Sequence, residues 1–67
     1  MKYKYDKETD ILVITLGDEK PDFGEQRENI ISHYTKEGLP IEIEILDASK
    51  TAVKMLEAIA KAKKAIY

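Results

Sequence analysis

A run of apolar residues near the N-terminus constrains the fold most. In ILVITLG, residues 11–17, every residue before the glycine is apolar or β-branched. Such a run is typical of a strand that is covered on both faces of its sheet. Successive side chains point to opposite faces, so Ile11 and Val13 lie on one face, and Leu12 and Ile14 on the other. The sequence therefore predicts a central strand in a sheet that needs cover on both faces.

Three further strands are predicted from their patterns. MKYKYD alternates tyrosines with charged residues, ENIISHYT is rich in β-branched and aromatic residues, and IEIEILD alternates isoleucine with glutamate. The predicted bounds are about 2–6, 28–35 and 40–47. Residues 18–27 contain a proline, a glycine and many charges, which favours a loop. Gly38 suits a hairpin turn, and sequential pairing predicts the strand order 1-2-3-4.

The chain from Asp47 onward has the spacing of a helix. Apolar residues recur every three or four positions, lysines lie mostly opposite, and Asp47 or Ser49 suits the N-cap. We expect a helix over about 50–65. The predicted architecture is a single α+β domain, residues 1–67. It is a four-stranded antiparallel β-sheet (meander) with one C-terminal amphipathic α-helix packed on one face, in two layers.

One helix covers only one face of such a sheet. A chain of 67 residues buries only about 60% of the surface that it exposes when unfolded, and the absence of cysteine excludes disulfides and thiolate zinc sites. We therefore expect the uncovered face, with its tyrosines, to pack against a second copy in a homodimer.

Charge is distributed unevenly along the chain. Residues 1–49 hold twelve acidic residues against six lysines and arginines, a net −6, whereas residues 50–67 hold five lysines and one glutamate, a net +4. The lysine-rich helix makes a nucleic-acid binder an alternative. The overall acidity and the lack of interleaved aromatic residues disfavour it. No signal peptide or membrane span is recognisable, so we expect a cytoplasmic protein. We also expect no cofactor. The Lys and Glu content is typical of thermophiles.

Acidic residues are the main candidates for a chemical site. Glu42 and Glu44 share one face of their predicted strand, and paired carboxylates can bind a divalent cation or act as acid and base. The same alternation is typical of any strand with one solvated face. The candidate metal ligands are Glu44, Asp47, Asp6 and Asp10. His33 is the single histidine, and a catalytic role would require an orienting acid.

Two segments resemble a known family. YDKETDILVITL, residues 5–16, and IEIEILDAS, residues 41–49, are similar to blocks of the domain-of-unknown-function family numbered 2283. The positions characteristic of that family are Tyr5, Asp6, Glu8, Asp10, Glu44, Asp47, Ala48 and Ser49. Glu42 departs from the usual glycine and Val13 from the usual tyrosine. The resemblance implies a small cytoplasmic prokaryotic protein without an assigned activity, similar in size and gene setting to antitoxins.

Our interpretation is a non-enzymatic protein-interaction module that acts as a homodimer and is antitoxin-like. Phe23, the large apolar residue of the 18–27 segment, and Glu44 would contact a heterologous protein partner such as a basic ribonuclease-like toxin. Alternatively, Phe23 folds back over the sheet edge. The competing class is a small acidic-site enzyme, with or without a divalent metal, built from Glu44, Asp47, Asp6, Asp10 and His33.

Overall fold

Five strands precede one helix in a computed structural model, which describes the backbone of residues 1–66 and the side chains of residues 1–62. The strands are β1 (Lys2–Asp6), β2 (Ile11–Thr15), β3 (Phe23–Arg27), β4 (Ile30–Tyr34) and β5 (Pro40–Ile45), and the helix is α1 (Ala48–Ile66). All neighbouring strands are antiparallel. The predicted α+β class, with an antiparallel sheet and one C-terminal helix, is confirmed.

The predicted number of strands is wrong, because β3 lies in the segment interpreted as a loop. β3 pairs with β4 through a turn of two residues, Glu28 and Asn29, and Glu28 has the positive φ of 52° that such turns accommodate. All five residues of β3 are exposed. β3 is held mainly by backbone pairing with β4, and Phe23 at its start is its one large apolar residue, so the hydrophobic pattern of the sequence did not indicate a strand.

The predicted strand order is also wrong. The strand order in the sheet is β1-β2-β5-β4-β3. β5 lies at the centre, and the β1–β2 and β3–β4 hairpins lie at the two edges. β2 pairs with β5, while the segment between β2 and β3 leads to the far edge of the sheet. The alternating strand IEIEI is therefore the central one. ILVIT lies beside it, between β1 and β5.

Directly paired residues share a face of a sheet, so the register defines two faces. One face contains two rows that begin with tyrosines, and we call it the tyrosine face. Its rows are Tyr3, Ile14, Ile43, Ser32, Glu25 and Tyr5, Leu12, Ile45, Ile30, Arg27. The opposite surface is the histidine face. Its rows are Lys4, Val13, Glu44, Ile31, Gln26 and Lys2, Thr15, Glu42, His33, Gly24.

Helix α1 does not pack along the sheet, which overturns the predicted two-layer arrangement. Val53, Leu56 and Ile59 are 55%, 66% and 52% exposed, and Met55 is equally open. The helix is attached through its first turn, where Ala48 is buried and Thr51 is half-buried. The apolar stripe that predicted the helix is present. The surface that should cover it is not supplied by this chain's own sheet within residues 1–62. The side chains of Lys63, Lys64 and Ile66 lie outside the described residues.

The protomer has little interior. Ile41 and Ala48 are its buried apolar residues among positions 1–62, and Thr35 is its buried polar one. The Cα radius of gyration is 14.4 Å, compared with about 11 Å for a compact domain of this length. The apolar residues of β2 and β5 are mostly only half-buried. In the described part of the chain, α1 is not apolar enough over a sufficient length to cross a membrane.

Candidate functional site

Three side chains with metal-ligating and proton-transferring atoms meet on the histidine face. His33 lies on β4 directly opposite Glu42 on β5, and Glu44 follows two residues later on the same face. The alternation of β5 places both glutamates on this face, as the sequence predicts. The antiparallel register of β4 adds the histidine. We refer to His33, Glu42 and Glu44 as the His–Glu cluster.

The cluster is tight and half-buried. His33 Nε2 lies 2.8 Å from Glu44 Oε1, a hydrogen bond, and 3.9 Å from Glu42 Oε2. One ligand atom from each residue lies within 4.8 Å of the other two. The side chains of His33, Glu42 and Glu44 are 25%, 33% and 29% exposed. Solvent and solutes can therefore reach the cluster, but part of its hydration is already lost.

Gly24 makes room for the imidazole. It pairs with His33 from β3, and a Cβ atom at Gly24 would lie 3.2 Å from His33 Nδ1. Such a distance is shorter than an ordinary van der Waals contact, so a larger residue would push the ring. The glycine of edge strand β3 thus leaves space for the ring in its position beside Glu44.

The cluster offers two kinds of chemistry. An imidazole hydrogen-bonded to a carboxylate is oriented for proton transfer, and one nitrogen with two carboxylates can bind a divalent cation. A shallow depression on the same face begins at Glu44 and continues toward β1. It is lined by Lys4, Asp6, Thr9, Ile11, Val13 and Glu44.

The four acidic residues predicted as metal ligands do not form one site. They are Glu44, Asp47, Asp6 and Asp10. Glu44 belongs to the His–Glu cluster, whereas Asp6 accepts hydrogen bonds from the Glu8 amide and the Thr9 hydroxyl in the β1–β2 turn. These bonds, that of Thr9 foremost, hold the pKa of Asp6 below its usual range. Asp6 is therefore occupied in shaping its own turn, although its side chain also borders the depression beside Glu44.

Asp10 connects the first hairpin to the helix. Its carboxylate accepts hydrogen bonds from the Tyr5 hydroxyl at 2.6 Å, the Ser49 amide at 3.0 Å and the Ser49 hydroxyl at 2.7 Å. The Ala48 amide donates to the Asp10 carbonyl. The bonds from Tyr5 and then Ser49 hold the pKa of Asp10 below its usual range, and the bond to Asp10 raises that of Tyr5. Asp10 caps the helix from outside it.

The residues predicted as helix caps have distinct positions. The Asp47 carbonyl accepts the first helical hydrogen bonds, from Lys50 and Thr51, and Asp47 itself has a positive φ of 50°. The backbone of Asp47 therefore occupies the N-cap position. Ser49 lies within the first turn and donates to Asp10. Across the helix start, Asn29 Nδ2 donates to the Leu46 carbonyl and to Thr51 Oγ1 at 2.8 and 2.7 Å.

Phe23 lies at the start of β3 on the tyrosine side of the sheet. Its ring stacks on that of Tyr34, with centroids 5.2 Å apart and an interplanar angle of 19°. The side chain is still 42% exposed. This geometry has the features of the alternative in which Phe23 folds over the sheet edge, and it leaves one side of the ring open.

Comparison with protein families identifies residues 2–49. This range matches the family described as "Protein of unknown function (DUF2283)" and covers both sequence blocks and all five strands. The chain belongs to this family. Comparisons with curated proteins and with solved structures returned no match. The matched range ends in the first turn of α1, so most of the helix lies beyond it.

Several positions characteristic of the family meet in one network. Tyr5 and Asp10 come from the first block and Ser49 from the second, and their hydrogen bonds join β1, β2 and α1. These residues of the two blocks thus form the junction between the first hairpin and the helix. The sequence did not reveal the His–Glu cluster, because its members come from strands whose pairing register cannot be read from one chain. The alternation of Glu42 and Glu44 was the signal available.

Proposed function

We propose that the protein is a protein-interaction module that acts as a homodimer, in which α1 of each protomer covers the tyrosine face of its partner's sheet. The observation that carries this proposal is the exposure of α1. Four apolar side chains on its described part are each more than half exposed, namely Val53, Met55, Leu56 and Ile59. A helix with an uncovered apolar stripe is a surface for another protein.

The tyrosine face fits such a helix in character and size. Tyr3, Tyr5 and Ile30 are 64%, 50% and 38% exposed and surround half-buried residues of β2 and β5. Five strands about 4.8 Å apart span roughly 20 Å, and a helix of 19 residues is about 28 Å long. One helix can therefore cross the whole sheet of a partner.

Charge favours a second copy as the occupant. Residues 1–49 carry a net −6 and residues 50–67 a net +4, so two copies attract each other as whole segments. The rows of the tyrosine face itself hold one acid and one base, Glu25 and Arg27, so the direct contact is mainly apolar. The apolar contribution is of the right order. Burying the exposed part of the four helix side chains contributes roughly 4 kcal/mol per protomer. A micromolar dimer requires about 8 kcal/mol net of the cost of association, so burial of the tyrosine face must add to the contribution of the helix.

Sedimentation equilibrium tests the proposal. At tens of micromolar we expect a mass of about twice the 7.7 kDa of the chain. Leu56→Ser should weaken the dimer about 30-fold, since the loss is on the order of 1 kcal/mol for each of two copies. Ala58→Ser, an uncharged change on the side of the same helix away from Leu56, should leave the mass unchanged. A monomeric wild-type protein, or equal effects of the two variants, contradicts the proposal.

Binding of a heterologous, toxin-like protein and localisation in the cytoplasm stay predictions from the family resemblance. In a heterologous complex, α1 or Phe23 would contact a different chain. Sedimentation distinguishes the homodimer from the heterologous complex. If α1 binds only a different protein, the isolated chain is a monomer.

A further inference from the structure

We infer that the His–Glu cluster is a binding site for a divalent transition-metal ion of the Zn²⁺ type. The inferred ligands are His33 Nε2 and one carboxylate oxygen each from Glu42 and Glu44. The family resemblance does not extend to Glu42, so the site is a property of this chain. It lies on the face opposite the proposed dimer surface and does not depend on association.

The geometry is close to that of a three-ligand site. Ligands about 2.1 Å from a tetrahedral ion are roughly 3.4 Å apart. In the cluster the measured separations from His33 Nε2 are 2.8 and 3.9 Å, and all three atoms lie within 4.8 Å of one another. Rotations of two glutamate side chains are enough to close the remaining differences. The site then leaves a fourth position for water on the open side of the sheet.

The electrostatics also favour a cation. Two half-buried carboxylates lie side by side on one face of β5, and within residues 1–62 the one basic side chain within 4.0 Å of them is His33. Lys2 and Lys4 lie on the same face but belong to β1, two strands away from β5, and neither forms an ion pair with the cluster. Bringing two carboxylates together is unfavourable unless a positive charge compensates them. A divalent ion supplies that charge.

The ligand types select the class of ion. Imidazole suits Zn²⁺ and other first-row transition ions, whereas Mg²⁺ and Ca²⁺ prefer six or more oxygen ligands. A ligand set that includes an imidazole nitrogen is a poor match for these hard ions. The ion would bind between His33 Nε2 and Glu44 Oε1, which now share a hydrogen bond. Binding there replaces the proton between the two side chains.

Titration of ¹⁵N-labelled protein with ZnCl₂ tests the inference, with CoCl₂ as a paramagnetic probe and MgCl₂ as the comparison. We expect a saturable response at one ion per chain, centred on β4 and β5 around His33 and Glu42. Mg²⁺ at tenfold higher concentration should give no such response. Glu42→Gln and His33→Gln should each weaken Zn²⁺ binding at least about tenfold. Glu37→Gln, an equal charge change in the β4–β5 turn, should leave it unchanged.

Three results overturn the inference. They are no saturable response up to millimolar Zn²⁺, a response centred away from the cluster, or undiminished binding by Glu42→Gln. Glu42 is 3.9 Å from His33 and outside hydrogen-bond distance, so its substitution retains the His33–Glu44 bond. This variant keeps the test decisive even when His33→Gln perturbs the sheet, and unchanged β1 amide signals verify that the sheet is intact.

Discussion

Asp10 joins the β1–β2 hairpin to the start of helix α1. Helix α1 has no acidic residue in its first turn, so its N-terminal amides lack a negative charge from the helix itself. The Asp10 carboxylate supplies that charge from the end of the β1–β2 turn and bonds to Ser49. Tyr5 completes the network from β1. A positive φ of 57° at Asp10 directs its backbone toward the helix start.

Asp10→Asn should destabilise the protein at pH 7, because the neutral amide loses the charge-assisted bonds from Tyr5 and Ser49. Folding lowers the pKa of Asp10. Its stabilising effect is therefore complete at neutral pH and is lost as the pH falls below about 4, through the lowered value. Urea unfolding at pH 7 should separate wild type from variant, and the difference should shrink toward pH 3.

Asp18→Asn provides the matched control, since Asp18 is exposed in the segment after β2. It should leave the unfolding midpoint unchanged at both values of pH. An Asp10→Asn midpoint equal to that of wild type at pH 7 would show that the network contributes nothing. A difference independent of pH would assign the effect to packing instead of charge.

At the scale of elements, α1 is anchored on two sides of its first turn. Asp10 binds it from the β1–β2 turn, and Asn29 binds it from the β3–β4 turn through Leu46 and Thr51. The Leu46 amide also donates to the Asn29 carbonyl. The remaining described turns of the helix have no comparable contact with the sheet. The direction of α1 is thus set by a short junction.

Asn29→Ala should cost about 1 kcal/mol of unfolding free energy, because it removes two part-buried hydrogen bonds of the side chain. Amide hydrogen exchange should accelerate most in the first turn of α1 and in the β3–β4 turn. Gln26→Ala removes an exposed bond to the Glu28 carbonyl and should cost less. Equal exchange rates in the first turn for wild type and Asn29→Ala would contradict this anchoring.

The elements also show what one sequence can and cannot predict. Apolar runs and alternation predict β1, β2, β4 and β5, and the three- to four-residue spacing predicts α1, because these patterns depend on local geometry. β3 was not predicted, because all five of its residues are exposed and its sequence lacks a pattern of apolar residues. The order of the strands and the meeting of His33 with Glu44 depend on pairing between distant segments. The hydrophobic stripe of α1 predicted the helix correctly, but the predicted burial of that stripe on this chain's own sheet is wrong, since Val53, Leu56 and Ile59 are exposed.

At the scale of the whole molecule, the sheet and the helix each expose an apolar surface that a chain of this size would ordinarily bury. A compact chain of 67 residues would fold α1 onto its own sheet, whereas here α1 projects from the edge formed by two turns. The proposed reciprocal covering of two sheets by two helices would bury both surfaces, and it agrees with the small interior of the single chain and its large radius of gyration.

The most direct test of this dimer is an isotope-filtered NOE experiment on a mixture of ¹³C-labelled and unlabelled chains, co-refolded so that mixed dimers form. The filter records contacts between chains. We predict NOEs from the methyl groups of Leu56 and Ile59 to the rings of Tyr3 and Tyr5 in the other chain. Mixed dimers without contacts between these residues, or the same contacts within a single chain, would contradict the account.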